Sequence, residues 1–411
     1  MIDIKLLREN PEKVKQGIKN KGAKVNTDKI LELDKDIRHI TQETESARAE
    51  QNKISKLREL NKEQIDKAKT LKEKIKNNES KLEERKKEFK ELFLQIPNLP
   101  LDDVPVGKDE SENVVIKEMG KKPNFGFLPK NYLDLAEKLD IIDVKRAAKV
   151  SGTRFGYLKS GAVYLEFALI QLAFNELVKQ GFYPIVPPVM IKTEMMKGMG
   201  YMERGGDEIY QLPKDNLVLV GTSEQSIGPM HADEIFDERE LPKRYVAFSS
   251  CFRREAGSYG KDTKGIFRVH QFYKVEMFSF CHPDKSKQEH QFFLKMEEKL
   301  MQILKIPYRI VQVCTGDLAA PSASTYDLEA WLPSENRYRE THSTSNCTDF
   351  QARRLNIRYK GKKGLNFVHT LNGTAFATGR MIIAILENYQ QKDGSILIPK
   401  ALQKYTKMKE I

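Results

Sequence analysis

Residues 251–276 read CFRREAGSYGKDTKGIFRVHQFYKVE. The stretches YVAFSSCFRREAG and IFRVHQFYKVEMFSF alternate with a period of two, the pattern of two strands, and Gly257–Gly265 between them supplies a flexible connection. The result is an antiparallel hairpin that carries Arg253, Arg254, Arg268 and Lys274 among aromatic, glycine and carboxylate residues. A guanidinium offers a planar fork of donors that matches phosphate oxygens through two parallel charge-assisted bonds, so the hairpin is equipped to grip a triphosphate. An ordinary hairpin with a solvated charged face has the same composition, and the rest of the chain has to decide between the two.

The chain has 411 residues, more than one core usually supports, so two domains are expected. Apolar residues make up 39% and charged residues 31%, the balance of a globular protein with an unusually wetted portion. No run of eighteen apolar residues occurs, and MIDIKLLRENPEK lacks an apolar signal core, so neither membrane spanning nor secretion is expected and the cytosol is. Cys251, Cys281, Cys314 and Cys347 stand far apart without a C-x-x-C pair or a histidine at finger spacing, which favours buried free thiols over a zinc site. A net charge of +12 raises the odds of a polyanionic partner.

From Asp28 to Ile96 the chain is free of Gly and Pro, and aliphatic residues recur at sevenfold spacing: Leu33, Ile40, Ala47, Ile54, then Ala68, Ile75, Leu82, Phe89, Ile96. That is the signature of two long helices packed as a coiled coil. The apolar-poor patch Arg58–Gln64 interrupts the register, so a turn is placed there and the second helix folds back antiparallel to the first. At 1.5 Å rise per residue, about thirty residues make an arm on the order of 45 Å long. Residues 1–96 hold 25 Lys/Arg and 19 Asp/Glu, and the remaining 315 hold 45 and 39; the excess of +6 in each part is thus about three times denser in the arm. The heptads alone do not distinguish a dimerisation element from an RNA-binding arm.

Residues 101–125, beginning LDDVPVGKDESEN, are rich in Pro and acidic residues and show no period, so they read as a linker between an N-terminal domain, 1–100, and a body, 126–411. Within the body, Tyr132–Lys149 reads as a helix and Ala162–Gln180 as a second helix ending at Gly181; strand-like runs then alternate with turns up to Ile398. Hairpins outnumber βαβ units, and neither G-x-G-x-x-G nor G-x-x-x-x-G-K-[ST] follows a strand. The body therefore reads as α+β: an antiparallel sheet flanked by helices.

The order Phe-Arg-x-Glu-Ala-Gly, loop, Phe-Arg-Val-His-Gln-Phe-x-Lys-Val-Glu resembles motif 2 of the class II aminoacyl-tRNA synthetases, in the form found in the seryl-tRNA synthetases of bacterial type. Other segments resemble the same family. Residues 162–191, the helix followed by GFYPIVPPVMI, are similar to motif 1, which implies a homodimer interface; residues 245–278 span motif 2, and residues 368–390, with TLNGTAFATGRMIIAILENYQ, are similar to motif 3. VGTSEQS at 220–226 resembles the loop over the amino acid, although Thr-x-Glu is also a common helix cap. RYRETHSTSNCTDFQARR at 337–354 matches the family run that meets ATP and its metal. One run departs from the family pattern: MMKGMGYMERGGDEIYQ, 195–211, stands where a G-T-G-x-L-P-K-F pattern is frequent.

The resemblance implies roles residue by residue. Arg253 holds the α-phosphate and the serine carboxylate, and Glu255 meets the adenine edge, with Val269 in the ATP site and Phe272 stacked on the ring. Arg268 and Arg380 sit on the γ-phosphate side. Glu340 and Ser343 hold ATP and its Mg²⁺, an ion that favours hard oxygen ligands shared with phosphates. Thr222 and Glu224 grip the serine ammonium, and Glu276 with Thr374 reads the hydroxyl. The reaction implied is activation of L-serine by ATP to seryl-adenylate and transfer to the 3′ end of tRNA(Ser), and of tRNA(Sec) where present, with the arm reaching the tRNA through phosphates and shape. Among the seven histidines no general base stands out; His270 reads as structural and His39 as a solvated arm residue. Two rivals remain: a non-catalytic synthetase-like RNA-binding paralogue, which would be expected to lose a phosphate arginine or the metal carboxylate, and a ligase for another amino acid, signalled by changes at Thr222, Glu276 or Thr374.

Overall fold

The computed structural model describes every residue except Arg58, Leu60, Ser258, Tyr259, Lys261 and Lys363. It separates into two compact units, Met1–Pro97 and Asn98–Ile411.

In the first unit, short helices at Ile4–Glu9 and Pro11–Asn20 precede α1 (Thr27–Ser55) and α2 (Lys62–Phe93). The starts of both long helices are written in the sequence. The Asn26 side chain accepts from the Lys29 amide at the head of α1, and Asn61 with Gln64 closes a reciprocal capping box at the head of α2. Of the heptad residues, Leu33, Ala47, Ile54, Ile75 and Ile96 are buried, while Ile40, Ala68, Leu82 and Phe89 are half-buried along the same seam. Ion pairs Lys67–Glu50 (2.5 Å), Lys74–Glu43 (3.6 Å) and Arg48–Glu79 cross between the two helices, which fixes them as antiparallel neighbours. The turn was expected over 58–64, but residues 62–64 already belong to α2, and Arg58 and Leu60 lie outside the described residues.

The second unit is built on an eight-stranded sheet. Its strands in chain order are β1 (Val114–Met119), β2 (Tyr183–Ile185), β3 (Lys243–Phe252), β4 (Gln271–Cys281), β5 (Tyr308–Gln312), β6 (Ser324–Leu332), β7 (Arg337–Asn346) and β8 (His369–Ala377). Across the sheet they lie in the order β1, β5, β6, β7, β8, β4, β3, β2, antiparallel throughout except that β2 runs parallel to β3. Helices α3 (Gly161–Val178), α4 (Ser286–Leu304) and α5 (Thr378–Asn388) form one buried core with the sheet through Leu169, Phe293 and Ile382. Because successive side chains on a strand point to opposite faces, Val275, Met277, Leu371 and Ala375 enter that core, and Lys274, Glu276, Asn372 and Thr374 are delivered to a cavity on the other face.

Two expectations are corrected. The segment read as a linker, 101–125, contains β1, which pairs with β5 as the edge of the main sheet. The chain just before it is tied down as well, with the Asn98 side-chain amide donating to the carbonyls of Pro321 (2.9 Å) and Cys347 (2.7 Å). All six side chains of β1 are exposed, so backbone pairing rather than a hydrophobic period makes it a strand, and the sequence pattern had nothing to show. The single helix read over Tyr132–Lys149 is two helices, Tyr132–Lys138 and Val144–Ser151, parted by Asp140 at φ 50° and by the short strand Ile142–Asp143. Asp143 ends the interruption by capping the second helix through the Arg146 amide. The four cysteines are buried free thiols.

Candidate active site

A cavity of about 550 Å³ is lined by residues of β3, β4, β7, β8 and the start of α5. All twelve residues assigned ligand roles from the sequence line it, although they come from segments as far apart as 222 and 380.

The hairpin supplies one wall. Arg253 follows the last residue of β3; its Nε donates to the Gly221 carbonyl at 3.2 Å and its guanidinium lies 5.4 Å from the Phe272 ring centre. Glu255 sits in the left-handed region at φ 52°, where its carboxylate meets Arg268 Nη1 at 3.4 Å. Arg268 also reaches Asp262, Nε to Oδ2, at 3.3 Å. His270 is structural, as expected: its amide and carbonyl bind the Arg154 carbonyl and the Arg253 amide at 2.9 and 3.0 Å.

A second group comes from β7 and the start of α5. Arg380 pairs with the Glu340 carboxylate at 3.1 Å and donates to the Glu340 carbonyl at 3.0 Å. Its guanidinium lies 4.7 Å from the Phe267 ring centre, and Arg339 lies 3.8 Å from the same ring. The surrounding protein pushes the Glu340 carboxyl up, but the guanidiniums of Arg380, Arg253 and Arg268 outweigh it and leave Glu340 below the usual carboxylate range. Ser343 lies opposite Asp327 in the β6–β7 register and hydrogen-bonds to it; burial, and then the Glu340 charge, lift Asp327 well above the usual range. The Glu340 carboxylate, the Asp327 carboxyl and the Ser343 hydroxyl thus lie close together. Among the described residues no cluster of three or more His, Cys, Asp or Glu is placed to hold a metal ion by itself.

The third group is polar and deeply buried. Glu276 on β4 is 1% exposed and pairs with Lys274 at 2.6 Å. Thr374 on β8 is its register partner, so the two residues assigned to a substrate hydroxyl stand side by side. Glu224, 3% exposed, accepts from the Tyr201 hydroxyl at 2.9 Å and from Gln351 Nε2 at 3.0 Å. Burial, reinforced by Glu276, pushes Glu224 up to about 7, and burial also raises Glu276 against the pull of Lys274 and Arg253.

Sequence reasoning missed Tyr201, Gln351, Asp327 and the Lys274–Glu276 pair. Tyr201 lies in the run that departs from the family pattern, 195–211. There the helix Thr193–Met199 ends at Gly200, φ 88°, whose Cβ position would fall 2.7 Å from Phe350; a side chain there would clash, and the turn needs the left-handed region. The same run reaches the hairpin, where Glu208 accepts from the Gly257 amide at 3.0 Å and its carbonyl accepts from Arg254 at 2.9 Å.

A largely antiparallel sheet whose cavity gathers arginines, Glu340 and the buried carboxylates Glu224 and Glu276 fits a class II aminoacyl-tRNA synthetase. Residues 209–389 match the family model for the tRNA synthetase class II core domain (G, H, P, S and T), and residues 1–100 match the seryl-tRNA synthetase N-terminal domain. The chain belongs to the seryl-tRNA synthetase family. It is 46% identical to the serine–tRNA ligase of Dictyoglomus turgidum, the match covering 100% of this chain and 99% of that one. Among solved structures it is similar to the seryl-tRNA synthetase of Pyrococcus horikoshii complexed with ATP (43% identity, TM-score 0.94, covering 100% and 99%) and to the cytoplasmic serine–tRNA ligase of Naegleria fowleri in complex with AMP (35% identity, TM-score 0.91, covering 100% and 98%).

Proposed function

We propose that the chain is an ATP-dependent serine–tRNA ligase that forms seryl-adenylate in the cavity and then charges tRNA(Ser). The observation that carries the reading is the cavity: every residue assigned to serine, ATP or its metal lines the same space. Presence of Arg253, Glu255, Arg268, Glu276, Glu340 and Arg380 together speaks against a non-catalytic paralogue.

In the first step a serine carboxylate oxygen attacks the α-phosphorus of ATP, the bond to the β-phosphate oxygen breaks, and pyrophosphate leaves with the electron pair. The nucleophile is already an anion, so no general base is required. The work of the chain is positioning and charge neutralisation. Arg253 bridges the serine carboxylate and the α-phosphate, while Arg268 and Arg380 meet the γ-phosphate side. Phe272 stacks on adenine beside Val269, and Glu255 accepts from the adenine edge. Thr222 and Glu224 hold the serine ammonium. Glu276 and Thr374 bind the hydroxyl; an amino acid lacking it leaves those buried polar groups unpaired, a loss worth orders of magnitude in selectivity against alanine. Glu340 and Ser343 suit Mg²⁺ entering with ATP, since both offer hard oxygens in the arginine-lined part of the cavity. When bound, the ion neutralises phosphate charge. In the second step the 3′-terminal ribose hydroxyl of tRNA attacks the seryl carbonyl carbon and gives up its proton, and the bond from that carbon to the phosphate oxygen breaks as AMP departs with the electron pair.

The arm formed by α1 and α2 is the tRNA-binding element, its lysines and arginines meeting phosphates, so affinity falls as salt rises. A cytosolic setting follows from substrates that are ATP and tRNA. Charging of tRNA(Ser) with labelled serine tests the reading: the full chain is expected to charge serine and not alanine, and Arg253→Ala to lose charging by at least about a hundredfold, the scale of losing one preorganised donor. Equal charging with alanine, or an active Arg253→Ala, would refute it.

A further inference from the structure

We infer that Arg154 is a positioning residue for adenine selection, holding Glu255 in place once ATP draws Arg268 away. The inference rests on the reading of Glu255 and Arg268 proposed above.

Arg154 adopts φ 60° in the segment Gly152–Gly156, a left-handed conformation that a non-glycine residue holds only where its surroundings enforce it. The enforcement is visible. The Arg154 carbonyl accepts from the His270 amide at 2.9 Å, the His270 carbonyl accepts from the Arg253 amide at 3.0 Å, and the His270 ring packs against Phe155 at 5.3 Å. The segment is thus tied through His270 to the phosphate-binding hairpin, where His270 in turn bonds to Arg253. Its side chain, 12% exposed, places Nη1 4.0 Å from Glu255 Oε2, the same oxygen that Arg268 Nη1 meets at 3.4 Å. Arg268 lines the cavity, whereas Arg154 does not, so Arg154 stands behind Glu255 rather than against a ligand.

The arrangement divides the labour between two guanidiniums. Arg268 pairs with Glu255 at 3.4 Å and with Asp262 at 3.3 Å. A γ-phosphate is a stronger partner for a planar fork and pulls Arg268 from Glu255 at the moment Glu255 has to accept from the adenine amine. Arg154 has no phosphate to follow, and its backbone is fixed to the hairpin. It keeps the Glu255 carboxylate aimed at the base.

The test compares kcat/KM for ATP with that for purine riboside 5′-triphosphate, which lacks the 6-amino group, in serine-dependent pyrophosphate exchange. Wild type is expected to prefer ATP by about tenfold or more, the worth of one hydrogen bond to a charged group. Arg154→Ala is expected to raise the KM for ATP by a similar factor, to reduce the preference to less than about threefold, and to leave the KM for serine unchanged; Arg154→Lys restores most of the preference. If Arg154→Ala raises both KM values together or keeps the preference, the inference fails, with thermal melting separating misfolding from a local effect. Glu255→Ala, which removes the acceptor, distinguishes the two levels. A preference abolished by Glu255→Ala but kept by Arg154→Ala overturns only the role of Arg154; a preference untouched by Glu255→Ala overturns the reading of Glu255 itself.

Discussion

Glu224 is 3% exposed and lies beside Glu276, and the two effects push its pKa up to about 7, so near neutrality it is divided between acid and carboxylate. In its proposed role, only the carboxylate form pairs with the serine ammonium. The sign follows: below pH 7 the protonated form dominates and serine binds weakly, and above it the ionised form restores binding. The KM for serine is therefore expected to fall about tenfold between pH 6 and pH 8 while the KM for ATP stays level, and Glu224→Gln is expected to flatten the profile. A serine KM that is flat in wild type over that range would contradict the assignment. That the twelve assigned residues share one cavity was legible in the sequence because most of them stand in runs whose residue order is distinctive. Their supports were not. Gln351 bonds to Glu224 across 127 positions and Arg154 faces Glu255 across about a hundred, and such pairings are made by the fold rather than by any local pattern.

Among the elements, strand alternation does most to build the site, because β4 and β8 each send one set of side chains into the core and the other into the cavity. The hairpin and the long helices were readable from periods of two and seven. The edge strand β1 was not, since a strand with no buried face carries no period. Helix α3 presents the opposite situation. By length and composition it could cross a membrane, and half of it is buried in the body, with Leu165, Leu169 and Leu172 in the core. Its outer face leaves Tyr164 56% and Phe167 63% exposed, and nearby chain adds Tyr183 at 66% and Val186 at 77%. Exposed large apolar residues gathered on the motif 1 elements support a homodimer through this face. Light scattering is expected to give twice the chain mass for wild type and one chain mass for Phe167→Glu; a wild-type monomer would remove the dimer from the proposal.

At the scale of the whole molecule, the chain has two compact units, and the proposed chemistry assigns them different jobs. Activation needs only the cavity of Asn98–Ile411, where all twelve assigned residues lie; charging also needs the tRNA, for which the basic arm is the proposed contact. The N-terminal helical unit was legible because its heptads differ so much from a strand-and-turn body, whereas the Pro-rich acidic stretch, read as a linker, belongs to the body. The seam was placed a few residues late because Asn98 is held by backbone carbonyls of the body, a tie that composition does not reveal. The most direct measurement is exchange of labelled pyrophosphate into ATP, supplied with each amino acid in turn, by the full chain and by a variant lacking residues 28–96. Serine alone is expected to support exchange, at comparable rates in both proteins, with only the full chain charging tRNA(Ser). Exchange with no amino acid, or with an amino acid other than serine, would contradict the claim that this cavity forms seryl-adenylate.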